Sequence, residues 1–293
     1  MRSIENGAGS EPSTPAMMLG YVRLIHPVPV LFVMIGTAAF GLLAAGGNPD
    51  LARFFLMIAA MLGGQIAIGA HNEWRDRQHD ARHQPEKPIP AGLVNPRHVR
   101  PIVAGGLALG AVAGIALGFW PFALLAIGTG SGFVYNIWLK RTPLSGIPYL
   151  MSLPLLPIWA TLVMDSFEPR LIWLYPLGGA YVVAVHLAQS LSDITGDRAS
   201  GTRGLAVVLG RRRTQQAIWI IAIGTALAMP AGAFLVGDRP IYGAGSGAIA
   251  LSFFGWFLIH PGRRSGADDS RQFQTLCTGA AILAAGWFLS IAG

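Results

Sequence analysis

The sequence predicts an all-α integral membrane protein: nine transmembrane helices around a central cavity, arranged as two four-helix repeats plus a ninth helix. Three observations lead there. Of 293 residues, 53% are hydrophobic and only 12% charged, too few charges to cover a soluble protein of this length. Apolar runs long enough to cross the hydrocarbon core of a bilayer recur along the whole chain. A polar pattern then appears twice, one four-helix unit apart.

The expected spans are 23–45, 51–72, 99–119, 122–139, 147–164, 171–191, 215–237, 241–259 and 272–292. The first begins in "LIHPVPV", and the second contains "FLMIAAMLGGQIAIGA". The third and fourth, with "VAGGLALGAVAGIALG" and "LLAIGTGSGFVY", carry the glycines and small residues that let helices approach closely in lipid. Pro, Gly or charge bounds every run, the usual punctuation at helix ends. Ahead of them, "MRSIENGAGSEPSTPAMM" (1–18) is polar and has no apolar signal core. It is expected to be a disordered cytoplasmic tail, with the membrane domain occupying 19–293. The single Cys277 falls in the ninth span and is read as a small packing residue.

The net charge of +7 has a topological explanation rather than a nucleic-acid one, because cytoplasmic loops collect Lys and Arg. With the N-terminus inside, one side holds Arg2 and Arg23, then Arg75, Arg77, Arg82, Lys87, Arg97 and Arg100, and then Lys140 and Arg141. The same side holds Arg198, Arg203, Arg211, Arg212 and Arg213, and finally Arg263, Arg264 and Arg271. Only Arg53, Arg170 and Arg239 fall on the other. The expected orientation is N-terminus inside and C-terminus outside, in the cytoplasmic membrane, with the active site opening to the cytoplasm.

The two long loops fall on that basic side. The first contains Asn72, Asp76 and Asp80 in "NEWRDRQHD"; the second contains Gln189, Asp193 and Asp197 in "QSLSDITGD". Residues four apart lie only about 40° apart around a helix, so each acid pair repels itself. The pairs also sit where a helix C-terminus already disfavours negative charge. A cation is the natural compensation. Hard oxygen donors suit Mg²⁺, which keeps waters and shares phosphate oxygens of a substrate. The competing reading, solvated loop ends balanced by arginine, explains one such motif more easily than two at matching positions.

The residues that accompany the motifs carry a resemblance. "NEWRDRQHD" followed by "EKPIPAG" (86–92), then "YNIWLKRTPLSGIPY" (135–149), then "SDITGDRASGTRGLAVVLG" (192–210) resemble the UbiA superfamily of intramembrane prenyltransferases. The likeness extends over essentially the whole helical chain. It implies transfer of a polyprenyl group from its diphosphate to an aromatic or other lipid-pathway acceptor, as in isoprenoid or quinone biosynthesis. The implied partners are a prenyl diphosphate, a hydrophobic acceptor and membrane lipid. By the same resemblance Asn72, Asp76, Asp80, Asp193 and Asp197 bind Mg²⁺, and the four aspartates are the catalytic set. Arg77, Lys140, Arg198 and Arg203 match residues that contact diphosphate, and Tyr135 matches a position near the reacting centre. The chain departs from the common pattern at Lys87, where Arg is frequent, at Gln189, where Asn or Asp is usual, and at Ser190.

Such chemistry needs a neutralised leaving group and a dry site in which aromatic faces steady an allylic cation. Trp74, Tyr135, Trp138 and Tyr149 lie near the expected cytoplasmic ends, where an interfacial aromatic belt is the plainer reading. His26 and His186 are read first as hydrogen-bonded structural residues. Two other functions remain open on the sequence: a membrane-embedded terpene cyclase using a prenyl diphosphate, and a secondary transporter built from repeats.

Overall fold

The computed structural model describes residues 13–260 and 266–291, and all regular structure among them is helical. In chain order the helices are α1 (Thr14–Leu24), α2 (Pro27–Ala44), α3 (Leu51–His83), α4 (Pro96–Ala116), α5 (Phe119–Ile137), α6 (Ile147–Ser152) and α7 (Leu155–Val163). They continue with α8 (Leu174–Gln189), α9 (Ile194–Ala199), α10 (Leu205–Leu209), α11 (Arg211–Val236), α12 (Pro240–Ile259) and α13 (Gly266–Ile291). Seven helical segments are long and apolar enough to cross a membrane: α2, α3, α4, 169–189, α11, α12 and 268–291. Against the nine expected, seven such helices are found among the described residues. The two remaining expected spans hold α5, whose "GTGSG" and Asn136 dilute its apolar character, and the α6–α7 pair. That pair is interrupted at Leu153–Pro154, as expected of a residue that cannot continue a helix.

Two further boundaries differ from expectation. The helical chain starts at Thr14, inside the segment read as tail, and residues 1–12 lie outside the described residues. α1 and α2 are separated at His26, which sits at φ 55° just ahead of Pro27. That backbone region is uncommon for a residue other than Gly, although His, with Asn and Asp, enters it more often than most. Secondly, α3 does not stop at the membrane boundary. It runs 33 residues, from a start capped by Asp50, whose carboxylate accepts the Arg53 N–H at 2.8 Å, to His83. The first acidic motif is thus helical throughout. The second is not: α8 ends at Gln189, a turn covers 190–193, and Asp197 lies in the short α9.

α3 and α4 pack closest of all, antiparallel, through glycines. A Cβ placed on Gly63 would lie 2.6 Å from the Gly106 carbonyl oxygen and closer still to the Gly110 nitrogen, so only a residue without a side chain permits this approach. The main apolar core lies where α8, α11, α12 and α13 pack, around Phe254, Leu276 and Trp287, and continues to Trp159 of α7, which packs on α2 and α5. Trp159 satisfies its ring N–H on the Pro121 carbonyl at 2.8 Å. Between this core and α2, α3 and α5 the helices enclose a cavity of about 560 Å³.

Candidate active site

The cavity is amphipathic along its length. Its body is walled by Phe32, Val33, Phe40, Leu124, Leu156, Met229 and Leu283, and its mouth by His26, Asn72, Lys87, Tyr135, Lys140, Gln189 and Asp193.

α3 supplies the first acidic face. Asn72 lines the cavity, its amide donating to the Asn136 side-chain oxygen at 2.8 Å, and Asn136 in turn donates to the Ile68 carbonyl at 3.0 Å. Asp76 and Asp80 are buried behind it. Asp76 pairs with Lys140 and, at 3.3 Å, with Arg141. Lys87 donates to Asp80 at 3.0 Å and lies 3.5 Å from Glu73. Burial works against the charge on both lysines, but the adjoining carboxylates outweigh it and hold each ammonium above the ordinary lysine value. Lys87 comes from the Pro-rich turn that follows α3 and Lys140 from the single turn Leu139–Arg141 after α5, so two loops fold back onto one helical face.

Glu73 is not among the residues that the sequence singles out. It is 2% exposed, its Oε1 is 3.2 Å from His26 Nε2, and its Oε2 is buried without a partner among the described residues. It stands three residues before Asp76 and seven before Asp80 on one continuous helix, so it shares their face. Lys87 stands out in the sequence only as a departure from pattern, and here it is the ion-pair partner of two acids.

The second motif approaches the first directly. Gln84, just past α3, donates to Asp193 Oδ1 at 3.3 Å, and Gly196 lies against His83. Burial, reinforced by Asp193, raises the Asp197 carboxyl above its usual range. Of the residues expected from sequence, Asn72, Tyr135, Lys140 and Asp193 line the cavity, with Asp76 and Asp80 one side chain behind. Asp197, Arg198 and Arg203 lie beside the mouth, the two arginines exposed; Arg198 donates to the Val207 carbonyl at 3.3 Å. Arg77 is not brought to the cavity. Its guanidinium lies 4.7 Å from the Trp74 ring centroid, elsewhere around α3. Tyr149 donates to Gln189 at 2.7 Å, with Tyr135 edge-on to it at 5.5 Å. His186 is buried, paired with Ser145 Oγ at 2.8 Å, and its ring lies tilted against that of Tyr149 at 4.5 Å between centroids, in keeping with the hydrogen-bonded structural role expected of it.

The donor set of Asn72, Glu73, Asp76, Asp80, Asp193 and Asp197 offers hard oxygens, all but that of Asn72 from carboxyl groups, and fits a Mg²⁺ ion. Among the described residues no three of these acids converge into a cage of their own. That suits an ion whose coordination is shared with water and substrate phosphate. The unpaired Glu73 oxygen supplies a donor without a competing partner.

The model of the UbiA prenyltransferase family matches residues 32–290. The chain belongs to that family. Membership makes it a membrane prenyltransferase. Among curated UbiA-type relatives, the protoheme IX farnesyltransferase of Cereibacter sphaeroides is 30% identical over 256 residues, covering 82% of this chain and 77% of the relative. The digeranylgeranylglyceryl phosphate synthase of Methanopyrus kandleri is 26% identical over 218 residues, 73% of this chain and 78% of the relative. A solved UbiA homolog from Archaeoglobus fulgidus, bound to DMAPP and Mg²⁺, superposes with a TM-score of 0.73 at 19% identity, covering 93% of this chain and 99% of that one. At that identity the likeness is one of fold.

Proposed function

We propose that this UbiA-family protein transfers a prenyl group from its diphosphate to a hydrophobic acceptor in a Mg²⁺-dependent reaction that releases pyrophosphate. The observation that carries this reading is the cavity: two acidic motifs and two buried lysines at the mouth of an apolar chamber. A diphosphate headed by cations and a prenyl tail in the chamber match that gradient of polarity.

Asn72, Asp76 and Asp80 with Glu73 on one side, and Asp193 and Asp197 on the other, would hold the metal. Held there, Mg²⁺ would supply the positive charge that offsets the charge developing on the diphosphate as the allylic C–O bond breaks. Lys140 and Lys87 line the mouth and donate to phosphate oxygens, exchanging part of their hold on Asp76 and Asp80 for it. Arg198 and Arg203 stand beside the opening, where their charge attracts the anionic substrate. Tyr135 and Tyr149 turn aromatic surface toward the reacting carbon and steady its positive character. The apolar walls keep water from that carbon until an acceptor nucleophile forms the new bond, and the displaced proton passes to a mouth carboxylate.

The same reading takes the chain to cross the cytoplasmic membrane nine times, with α5 and the α6–α7 pair as the further crossings. Two four-helix repeats are then followed by α13, residues 19–293 form the membrane domain, and the N-terminus lies inside. Supporting this, the acidic motifs recur at the C-terminal ends of α3 and α8 and the basic residues gather on their side. The family relatives act on unlike acceptors, a glyceryl phosphate lipid and protoheme by name, so the acceptor class is taken only as hydrophobic.

The test is purified protein in lipid, with Mg²⁺, geranyl to geranylgeranyl diphosphates, and a panel of aromatic, quinone-precursor and glycerolipid acceptors. Expected is pyrophosphate release that requires an acceptor, yields a prenylated product by mass, and is lost with EDTA and in Asp76→Asn and Asp193→Asn. Release without acceptor, giving a cyclic hydrocarbon, would replace the transferase by a cyclase. Uptake of prenyl diphosphate into vesicles without turnover would replace it by a transporter.

A further inference from the structure

On the face of α3 turned from the cavity, Arg77 and Arg100 converge on one indole. Their guanidinium carbons lie 4.7 Å and 5.4 Å from the centroid of Trp74. Arg77 is half-buried and also donates to the Trp74 carbonyl; Arg100, from the first turns of α4, is exposed. Among the described residues no carboxylate pairs with either. Lys87, Lys140, Arg141 and Arg211 all differ in this respect, each having an aspartate. Two like charges over one ring, with no counter-ion, leave an uncompensated positive site.

Directly beside it lies a separate groove of about 200 Å³ between α3 and α4, walled by His71, Trp74, Val99 and Arg100 and, further along α4, by Val103 and Leu107. Its depth can be read from helix geometry. Trp74 lies about 34 Å along α3 from Leu51, a little more than the roughly 30 Å thickness of bilayer hydrocarbon. The two guanidinium groups therefore stand at headgroup level. Leu107 is about 10 Å further along α4 from Arg100 toward the bilayer centre. The groove is cationic at the interface and aliphatic below it.

We propose that this groove binds one anionic glycerophospholipid. Its phosphate is held between Arg77 and Arg100 at the edge of Trp74, and one acyl chain lies along Val103 and Leu107. Basic pockets between transmembrane helices recognise such headgroups by this combination of charge and apolar surface. The site is separate from the reaction cavity, whose lining includes none of these residues, so it stands or falls independently of the proposed transfer reaction.

The test uses the full chain in detergent, stripped of co-purified lipid, with phosphatidylglycerol, phosphatidylcholine, or glycerol 3-phosphate added. Bound lipid is counted by native mass spectrometry, and the thermal midpoint is read in parallel. The variants are Arg77→Gln/Arg100→Gln and, as a control for diffuse charge, Arg212→Gln/Arg213→Gln. Expected is one tightly held phosphatidylglycerol that raises the midpoint, weakened roughly 30-fold in the first double variant and retained in the second. Should the first variant not fold, Arg100→Gln alone, at an exposed position, is expected to weaken binding about fivefold. Equal retention in the Arg77/Arg100 variant overturns the proposal, as does equal loss in the control. A midpoint shift from glycerol 3-phosphate as large as from the lipid would make the site one for free phosphate and overturn the lipid assignment.

Discussion

Glu73 is the residue at which helix geometry adds most to the sequence. Asp76 and Asp80 are legible in the sequence because acids four apart are conspicuous. Glu73 becomes legible only once α3 is seen to continue to His83, which puts residues 73, 76 and 80 on one face. Adjacency in sequence misleads in the opposite way with Arg77, which sits about 100° around the helix from Asp76 and so faces Trp74 instead. Glu73→Gln keeps shape and one hydrogen-bonding oxygen while removing the charge that Lys87 and His26 meet. It is expected to lower kcat/KM by about 10²-fold or more, comparable with loss of one preorganised electrostatic partner, and to raise the Mg²⁺ concentration needed for half-maximal rate. A Mg²⁺ titration of wild type and variant checks this; an unchanged rate and Mg²⁺ requirement would confine Glu73 to structure. Lys140→Met, which leaves Asp76 with Arg141 alone, is expected to raise KM for the prenyl diphosphate more than tenfold.

At the scale of the helix, the α3–α4 seam positions the first motif, because it fixes α3 along the length that leads to Asn72. Gly63→Val puts a branched side chain where even a Cβ would meet the backbone of Gly106 and Gly110. Overpacking of this kind costs about 1–3 kcal/mol, and backbone cannot yield as a flexible side chain does, so the upper end is expected. Gly105, on α4 as well, has no atom within 4 Å of the position that a Cβ would occupy. Gly105→Ala is accordingly expected to be neutral or stabilising by up to about 1 kcal/mol. Thermal midpoints of the pair decide the matter: no loss in either variant would mean that helix propensity, not the seam, governs. The glycine pattern makes close packing legible in advance. The break between α6 and α7 is less so, since "YLMSLPLLPIWATLV" is apolar throughout and a proline in such a run allows either a kink or an end.

The whole molecule is tied together at the end remote from the acidic motifs. α11 begins at Arg211, which donates to the Leu191 carbonyl beside the second motif, and ends at Val236, near Arg170. Arg170 pairs with Glu168 at 3.0 Å and with Asp238 at 2.9 Å, and also donates to the Val236 and Ile291 carbonyls. One side chain thereby joins the start of 169–189, the α11–α12 turn and the last turn of α13. Apolar core packing holds these helices along their length, but the last carbonyls of α11 and α13 have no intrahelical donors, and Arg170 satisfies one at each. Arg170→Met keeps the aliphatic stem and removes every donor, with an expected loss of about 1–3 kcal/mol seen as a lower thermal midpoint. The acid limb follows from Glu168, whose hydrogen bond from Arg170 holds its carboxyl below the ordinary glutamate value of 4.5. A depressed carboxyl stabilises the fold above that ordinary value, and the contribution disappears as pH falls through the lowered one. The gap in midpoint between wild type and Arg170→Met is therefore expected to be constant through neutral pH and to narrow only in that acidic window. A gap that did not change there would assign the clamp to the Val236 and Ile291 carbonyls rather than to Glu168. Because the clamp lies at the far end from the mouth, its loss should leave KM for prenyl diphosphate unchanged while lowering the temperature at which activity survives.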